Sequence, residues 1–299
     1  MRLNTQFRRR RKRLTSAVGD FQTIVYQPGP VARVILNRPE RRNAQSWQLL
    51  GEMDAAFEAA AADPECRVIV LSGRGPSFSA GHDIDSPDQL ADRAAYEQEA
   101  GPFARTERRG EIYLDSHIRW RNLPKPMIAM VHGYCVFGGW MIAAAMDVVF
   151  AADNALLIPV YGDYCTTTWD VGARKAKELL FGNRFLTATE AMQCGFVNRV
   201  FPAADLESET LKYASRVAEN SEFLNRTVKF GINQTLDMMG FTTSVRALRP
   251  NFFADRTLPP AGERRGDSVP AGPDRGRFRS QVQRAVQYAR EDGILTLER

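Results

Sequence analysis

The chain has 299 residues and is 44% hydrophobic, which is enough to bury the core of one large domain with a smaller appendage. Its formal net charge is +5, but the basic run at residues 8–13 carries six positive charges, so the rest of the chain is close to neutral. No apolar run approaches the roughly 18 residues of a membrane helix, and no hydrophobic segment follows the basic run, so we expect neither a membrane span nor a secretory signal.

The basic run allows two interpretations. A cluster of this kind can bind nucleic acid or an anionic membrane surface. In a terminal segment it is more often part of a solvated arm. We predict that residues 1–17 form a disordered basic arm and expect no nucleic-acid partner, while attachment through this arm stays open as the alternative.

Cysteine and histidine spacing gives no sign of a metal site or a disulfide framework. The cysteines are far apart and form no Cys-x-x-Cys pair, and no two histidines form a His-x-x-x-His pattern. We therefore predict no metal, and the cysteine usage fits a reducing cytoplasm. The residues concerned are Cys66, Cys135, Cys165, Cys194, His82, His117 and His132.

The first part of the chain alternates between predicted strands and helices. Residues 21–26 and 31–36 are typical of a hairpin, and Ser46 is placed to cap an alanine-rich helix over residues 47–62. The apolar run at residues 68–71 suits a strand covered on both faces. This alternation predicts an α/β core with crossover connections.

The middle of the chain contains a long polar stretch and then a buried strand. Residues 84–110 are polar and charged, and we predict an irregular, mobile cover over the site. A helix over residues 112–121, a strand over residues 127–131 and a helix from near Gly138 follow. Beyond residue 171 the pattern is mostly helical.

Three motifs follow one another through this region. They are Asn37-Arg-Pro-Glu-Arg-Arg-Asn-Ala, then Phe78-Ser-Ala-Gly-His-Asp, then Lys125-Pro-Met-Ile-Ala with the glycine pair Gly138-Gly139. They resemble the N-R-P-x-x-x-N-A, F-x-A-G-x-D and K-P-x-I-A-x-x-x-G-x-x-x-G-G motifs of the enoyl-CoA hydratase/isomerase (crotonase) family, in the same order and at similar spacing. The resemblance extends from about residue 21 to about residue 202.

The resemblance implies an α/β, crotonase-like (ClpP/crotonase) fold. In that fold a spiral core of repeated ββα units is followed by a C-terminal helical region that mediates trimerisation. The implied domains are the core over residues 18–203 and a helical oligomerisation region over residues 204–256. Over residues 257–299 the family's usual C-terminus is not recognisable, and the composition predicts a linker with a C-terminal helix. The implied assembly is a homotrimer or a dimer of trimers, that is, a hexamer.

The resemblance also implies a substrate, an acyl-CoA thioester, with coenzyme A as part of it and no separate cofactor. In such proteins two backbone N–H groups polarise the thioester carbonyl, and the matching donors here are the amides of His82 and Gly138. Ala44 and Ala80 match positions whose backbone contacts the CoA adenine region. The predicted substrate-binding set is completed by Asp83, Gly139, Met141 and Tyr161.

The acid/base residues depart from the family pattern. Hydratases of this family carry two glutamates, and the matching positions here hold Met141 and Val160. Neither side chain can activate water or deliver a proton. The replacement of first choice is Asp163, which follows the second lost glutamate, and His82 comes next. Further candidates are Tyr161, Tyr164, His117 and Glu111, whereas Asp147 is predicted to be structural.

We therefore expect an enzyme of fatty acid metabolism, an enoyl-CoA hydratase-like lyase or isomerase that stabilises an enolate with unusual acid/base residues. The missing glutamates leave thioester hydrolysis and carbon–carbon bond hydrolysis open. A catalytically inactive acyl-CoA-binding protein that retains only the cradle is a further alternative.

Overall fold

A computed structural model describes residues 20–100, 104–160, 162, 164–248 and 275–294. The predicted basic arm and two candidate site residues, Tyr161 and Asp163, lie outside the described residues, as does most of the predicted linker. Among the residues described, no helix has the length and apolar character needed to cross a bilayer.

The strands form two sheets. The larger sheet has the order β1-β2-β3-β4-β6-β9, in which β1 and β2 are antiparallel and all other neighbours are parallel. The smaller sheet has the order β5-β7-β8. The strands are β1 (Ile24–Gln27), β2 (Val31–Leu36), β3 (Val68–Gly73), β4 (Met127–Val131), β5 (Tyr134–Val136), β6 (Val148–Ala152), β7 (Leu156–Ile158), β8 (Leu186–Thr187) and β9 (Arg199–Phe201).

Helices cover both faces of the larger sheet and extend beyond it. They are α1 (Trp47–Ala62), α2 (Pro87–Ala100), α3 (Ala104–Gly110), α4 (Ser116–Arg121), α5 (Gly138–Ala144), α6 (Thr167–Val171), α7 (Ala173–Gly182), α8 (Ala188–Gln193), α9 (Leu206–Glu219), α10 (Glu222–Met238), α11 (residues 241–248) and α12 (Arg275–Glu291). A π-helical turn, Glu111–Asp115, joins α3 to α4.

The alternation of side chains along β3 shows why this strand is apolar throughout. Val68 and Val70 belong to a cluster on one face of the sheet that includes Leu206 of α9. Ile69 and Leu71 belong to the main core on the other face. A strand covered on both faces needs an apolar residue at every position, as the sequence predicts.

The irregular structure predicted for residues 84–110 is wrong, because α2 and α3 occupy most of this range, while its role as a cover stays a prediction. Ser86 accepts a hydrogen bond from Gln89 N at 3.3 Å, and Pro87 is the first helical residue. Alanine, glutamate, glutamine and arginine, which favour helices, fill the rest of α2. The polar composition therefore reflects a mostly exposed helical surface.

Candidate active site

Two glycine-containing turns lie side by side at the carboxyl ends of β3 and β4. The first site turn (residues 79–83) and the second site turn (residues 133–139) pair through backbone hydrogen bonds of 2.9 and 3.1 Å. A Cβ atom added to Gly81, which has a φ of +89°, would lie 3.0 Å from the amide nitrogen of Gly138. The backbones around Gly81 and Gly138, from distant parts of the sequence, are therefore in direct contact.

A buried polar network holds the first site turn. Arg38 donates to a carboxylate oxygen of Asp83 at 2.8 Å, and the backbone N–H of Ser86 donates to the other at 3.0 Å. Burial alone would raise the pKa of Asp83, but the hydrogen bonds from Ser86 and Arg38 outweigh it and lower that pKa. Asp83 thus fixes the turn, and the substrate contact predicted for it stays a prediction.

Asn43 connects the first motif to the segment that leads into the second. Its side-chain oxygen accepts from Arg38 N at 2.9 Å, and its amide group donates to the carbonyl oxygens of Arg74 and Ser77. The polar residues of the family motifs therefore bond to backbone groups and set the path of the chain.

The predicted CoA-contacting residues already make internal bonds. The carbonyl of Ala44 accepts from Arg38 at 2.7 Å, which leaves it one lone pair for a further donor. The backbone N–H of Ala80 donates to Arg42 O at 2.9 Å. A Cβ atom on Gly139 would lie 2.7 Å from Ser79 O, so Gly139 serves the close approach of the two turns.

Two side chains, those of His82 and Gln45, lie against Gly138. A Cβ atom added there would lie 2.5 Å from Cδ2 of His82 and 2.7 Å from Oε1 of Gln45. The His82 ring also stacks on Tyr113, with ring centroids 3.9 Å apart. The imidazole of His82 therefore lies against the backbone of Gly138, which carries one of the two predicted amide donors.

Gln45 is a site residue that the sequence analysis did not find. Its side chain is fully buried and donates to Ser79 Oγ at 3.0 Å, while its Oε1 has no hydrogen-bond partner among the described residues. The only local signal is a polar residue between Ala44 of the first motif and the helix cap Ser46.

The second site turn contains a strained residue. Phe137 has φ +52° and ψ −108°, a conformation that is rare for residues with a side chain. Its N–H donates to Ile158 O at 2.8 Å, and its ring belongs to a buried cluster that includes Ile158 and Ala285 of α12. Tertiary packing thus holds the backbone directly before Gly138.

The two positions without glutamate are apolar in three dimensions as well. Met141 is buried in the main core, and Val160 is partly buried and packs against that core. Trp140 stacks on Phe196, with ring centroids 3.6 Å apart, and donates to Asp170 at 2.9 Å, so its side chain is part of the core. Burial raises the pKa of Asp170 to about 6, although Thr166 and Trp140 donate to its carboxylate.

The other acid/base candidates differ in their surroundings. Glu111 is ion-paired with Arg108 at 2.7 Å. His117 and Tyr164 are fully buried next to each other. Asp147 accepts from the backbone of Met127 at 2.7 Å and pairs with Lys229 at 2.8 Å, which confirms the structural role predicted for it. Within the described parts of the chain, no group of acidic, histidine or cysteine side chains could hold a metal ion.

Comparison with known proteins identifies the family. The family model described as "Enoyl-CoA hydratase/isomerase" matches residues 27–255. "Putative enoyl-CoA hydratase EchA13" of Mycobacterium tuberculosis is 36% identical over 248 residues, which cover 76% of this chain and 78% of that protein. "Enoyl-CoA hydratase domain-containing protein 3, mitochondrial" of Danio rerio is 32% identical over 207 residues, covering 67% of this chain and 68% of that protein.

Solved structures agree with this result. A probable enoyl-CoA hydratase from Mycobacterium smegmatis is 37% identical, with a TM-score of 0.69 over 78% of this chain and 94% of that one. An enoyl-CoA hydratase/isomerase from Xanthobacter autotrophicus Py2 is 27% identical, with a TM-score of 0.71 over 90% and 97% of the two chains. The fold is crotonase-like, and the chain belongs to the enoyl-CoA hydratase/isomerase (crotonase) family.

Proposed function

We propose that this protein binds an acyl-CoA thioester and stabilises the enolate of its acyl group with the backbone N–H groups of His82 and Gly138. The observation that carries the proposal is the contact between the two site turns at Gly81 and Gly138. Each such donor typically contributes about 2.7–4 kcal/mol to an oxyanion-like transition state. Backbone donors do not depend on the two missing glutamates.

The reaction class we favour is that of an enoyl-CoA hydratase-like lyase or an isomerase, with His82 and Asp163 as acid/base residues. The imidazole of His82 lies against Gly138, where the thioester oxygen would bind, and an imidazole can transfer protons near neutral pH. Asp163 is proposed from its sequence position alone. The proposed substrate contacts remain Ala44, Ala80, Asp83, Gly139, Met141 and Tyr161.

A second candidate is a protein that binds acyl-CoA without turning it over. The apolar surroundings of Met141 and Val160 favour it, because no carboxylate is present where the family's hydratases carry their glutamates. Because the two glutamates are missing, thioester hydrolysis and carbon–carbon bond hydrolysis are also tested as alternative reactions.

The decisive experiment incubates the protein with crotonyl-CoA and longer enoyl-CoAs and follows the absorbance of the conjugated thioester. A wider panel of thioesters is followed by mass spectrometry. We expect turnover of at least one thioester, its loss in Asp163→Asn and His82→Ala, and retained CoA-thioester binding by calorimetry. Tight binding with no product would favour the non-catalytic candidate, and no binding would refute both.

We also propose a homotrimer or a dimer of trimers, assembled through the helical region after residue 203. The side chains of Phe223, Phe230, Ile232 and Met238 on α10 are apolar and exposed in the single chain, as expected of an interface. The free thiols of all four cysteines fit the reducing cytoplasm that we propose as its location. Light scattering should give a trimer or hexamer, and Phe230→Glu should dissociate it; a monomeric parent would contradict this proposal.

A further inference from the structure

Two of the buried polar atoms without a partner in the described core belong to neighbouring rings. The ring of His117 in α4 and the ring of Tyr164 after β7 have centroids 5.1 Å apart, and both side chains are completely buried. Neither Nε2 of His117 nor the hydroxyl of Tyr164 has a hydrogen-bond partner among the described residues. Leaving such a buried group unpaired typically costs about 1–3 kcal/mol, so a pair of them points to a missing partner.

The local bonds determine what His117 offers. Ser116 Oγ donates its only proton to Ile112 O, so the contact of 3.2 Å between Ser116 Oγ and Nδ1 of His117 needs the proton on Nδ1. Burial, aided by Arg119, lowers the pKa of His117 to about 3, which keeps the ring neutral. Nε2 of His117 therefore carries no proton and can only accept a hydrogen bond.

Tyr164 supplies the complementary group. Burial raises the pKa of its hydroxyl, so the proton stays on the oxygen and Tyr164 can donate as well as accept. A partner that satisfies both atoms must donate to His117 and accept from Tyr164. A hydroxyl group does both, a carboxylate lacks the proton for His117, and an alkyl group satisfies neither.

The pair is linked to the proposed oxyanion site through Tyr113. The His82 ring lies against Gly138 and stacks on Tyr113, and His117 follows Tyr113 by four residues, about 6 Å along a helix. Tyr113, Met141 and Tyr164 belong to one contiguous buried cluster. An acyl chain that starts at Gly138 and runs along this helical segment would end near His117 and Tyr164.

We infer that the acyl group recognised by this protein carries a hydroxyl near its distal end, which donates to Nε2 of His117 and accepts from the hydroxyl of Tyr164. The inference rests on the proposed acyl-CoA function and adds the substrate class to it. Tyr164 and His117 then act as specificity-determining residues, and His82 and Gly138 remain the groups at the thioester.

The test uses saturated acyl-CoAs of four to six carbons, each with and without a terminal hydroxyl, because these probes have no double bond to hydrate. Calorimetry on the full chain should show that a hydroxylated probe binds at least about tenfold more tightly than its alkyl counterpart. Tyr164→Phe should abolish this preference and leave alkyl-probe affinity unchanged. The matched control is Tyr213→Phe in α9, whose ring packs on Phe150 of β6, and this variant should keep the preference.

The failures of the two proposals are distinguishable. Equal affinity of hydroxylated and alkyl probes would overturn the inference, as expected if water alone bridges His117 and Tyr164, and would leave the acyl-CoA function standing. An equal loss for both probes in Tyr164→Phe would also overturn it, since the tyrosine would then only support the fold. No binding of any probe would overturn both the inference and the acyl-CoA function.

Discussion

The two site turns reach the same place by different physical means. Polar side chains hold the first turn, chiefly the buried pair of Arg38 and Asp83. The second turn is held by apolar packing around Phe137, whose backbone is strained. The two turns meet at Gly81 and Gly138. A hydrogen-bond network therefore fixes the backbone on one side of the site, and a packed ring fixes it on the other.

This difference predicts different sensitivities. The polar network fails when one charge loses its partner, because the other charge stays buried. The packed turn fails gradually, as contacts are removed from the ring. The following substitutions test the two kinds of support, in order of expected effect.

The largest effect is expected for Arg38→Met. The side chains of Arg38 and Asp83 are only 10% and 4% exposed, so the substitution leaves a buried, unpaired carboxylate and should lower the free energy of unfolding by about 3–5 kcal/mol. Urea denaturation measures this. Arg33→Met removes an exposed pair with Glu207 and should cost at most about 1 kcal/mol. Equal losses would show that the buried pair does not support the turn.

The same pair predicts a pH dependence. Because the folded-state pKa of Asp83 is lowered, its contribution to stability is present above its unfolded pKa and is lost as the pH falls through the folded value. The wild type should therefore lose more stability on acidification than Arg38→Met does. A steeper loss in the variant would contradict the assignment.

Gly138→Ala tests the proposed donor itself. The new methyl group would lie 2.5 Å from the His82 ring and 2.7 Å from Gln45, so ring and backbone must shift. We expect kcat/KM for the best thioester to fall about 100-fold, the usual order for losing one such donor. Gly51→Ala in α1, where a Cβ has open space, should leave it unchanged. Less than a threefold loss in Gly138→Ala would refute the oxyanion role.

Phe137 allows strain and packing to be separated. Both Phe137→Ala and Phe137→Gly remove the buried ring, but only glycine adopts φ +52° and ψ −108° without strain. The glycine variant should therefore be about 1–3 kcal/mol more stable than the alanine variant, and both less stable than the wild type. Thermal or urea denaturation decides, and equal stability of the two variants would argue against strain.

The last prediction is a change in pH dependence and concerns Asp170, which accepts a hydrogen bond from Trp140 next to the second turn. Its folded-state pKa of about 6 is above the unfolded value of 3.8, so its contribution to stability is complete below 3.8 and is lost as the pH rises through 6. Asp170→Asn should remove this change, and its stability relative to the wild type should improve from pH 4 to pH 7. A constant difference across that range would disprove the raised pKa.

Local patterns predicted the parts of the fold that depend on neighbours in sequence. Ser46 caps α1, accepting from Leu49 N at 3.1 Å, and the apolar run at residues 68–71 lies in a strand covered on both faces. At the end of α7, Asn183 and not the preceding Gly182 takes the left-handed conformation, although glycine is the residue that most often does so.

The unpredicted features all depend on distant contacts. Gln45 lies against Gly138, and His117 lies next to Tyr164, although the members of each pair are far apart in the chain. The strained backbone of Phe137 is likewise held by packing with distant segments. Residue patterns carry no direct signal for such meetings. The motifs predicted which turns matter, but not the side chains that surround them.

The buried cluster that includes Phe137 and residues of the distant helix α12 has a consequence for biosynthesis. Ala285 and Ala289 belong to the buried cluster around Phe137 but leave the ribosome long after it. Until the later helix emerges, the nascent polypeptide cannot complete this cluster, so the strained conformation of Phe137 lacks part of the packing that holds it. A chaperone that shields apolar surface could bind the uncovered cluster around Phe137 before α12 is synthesised. Translation arrested before α12 would yield chains in which this cluster stays uncovered.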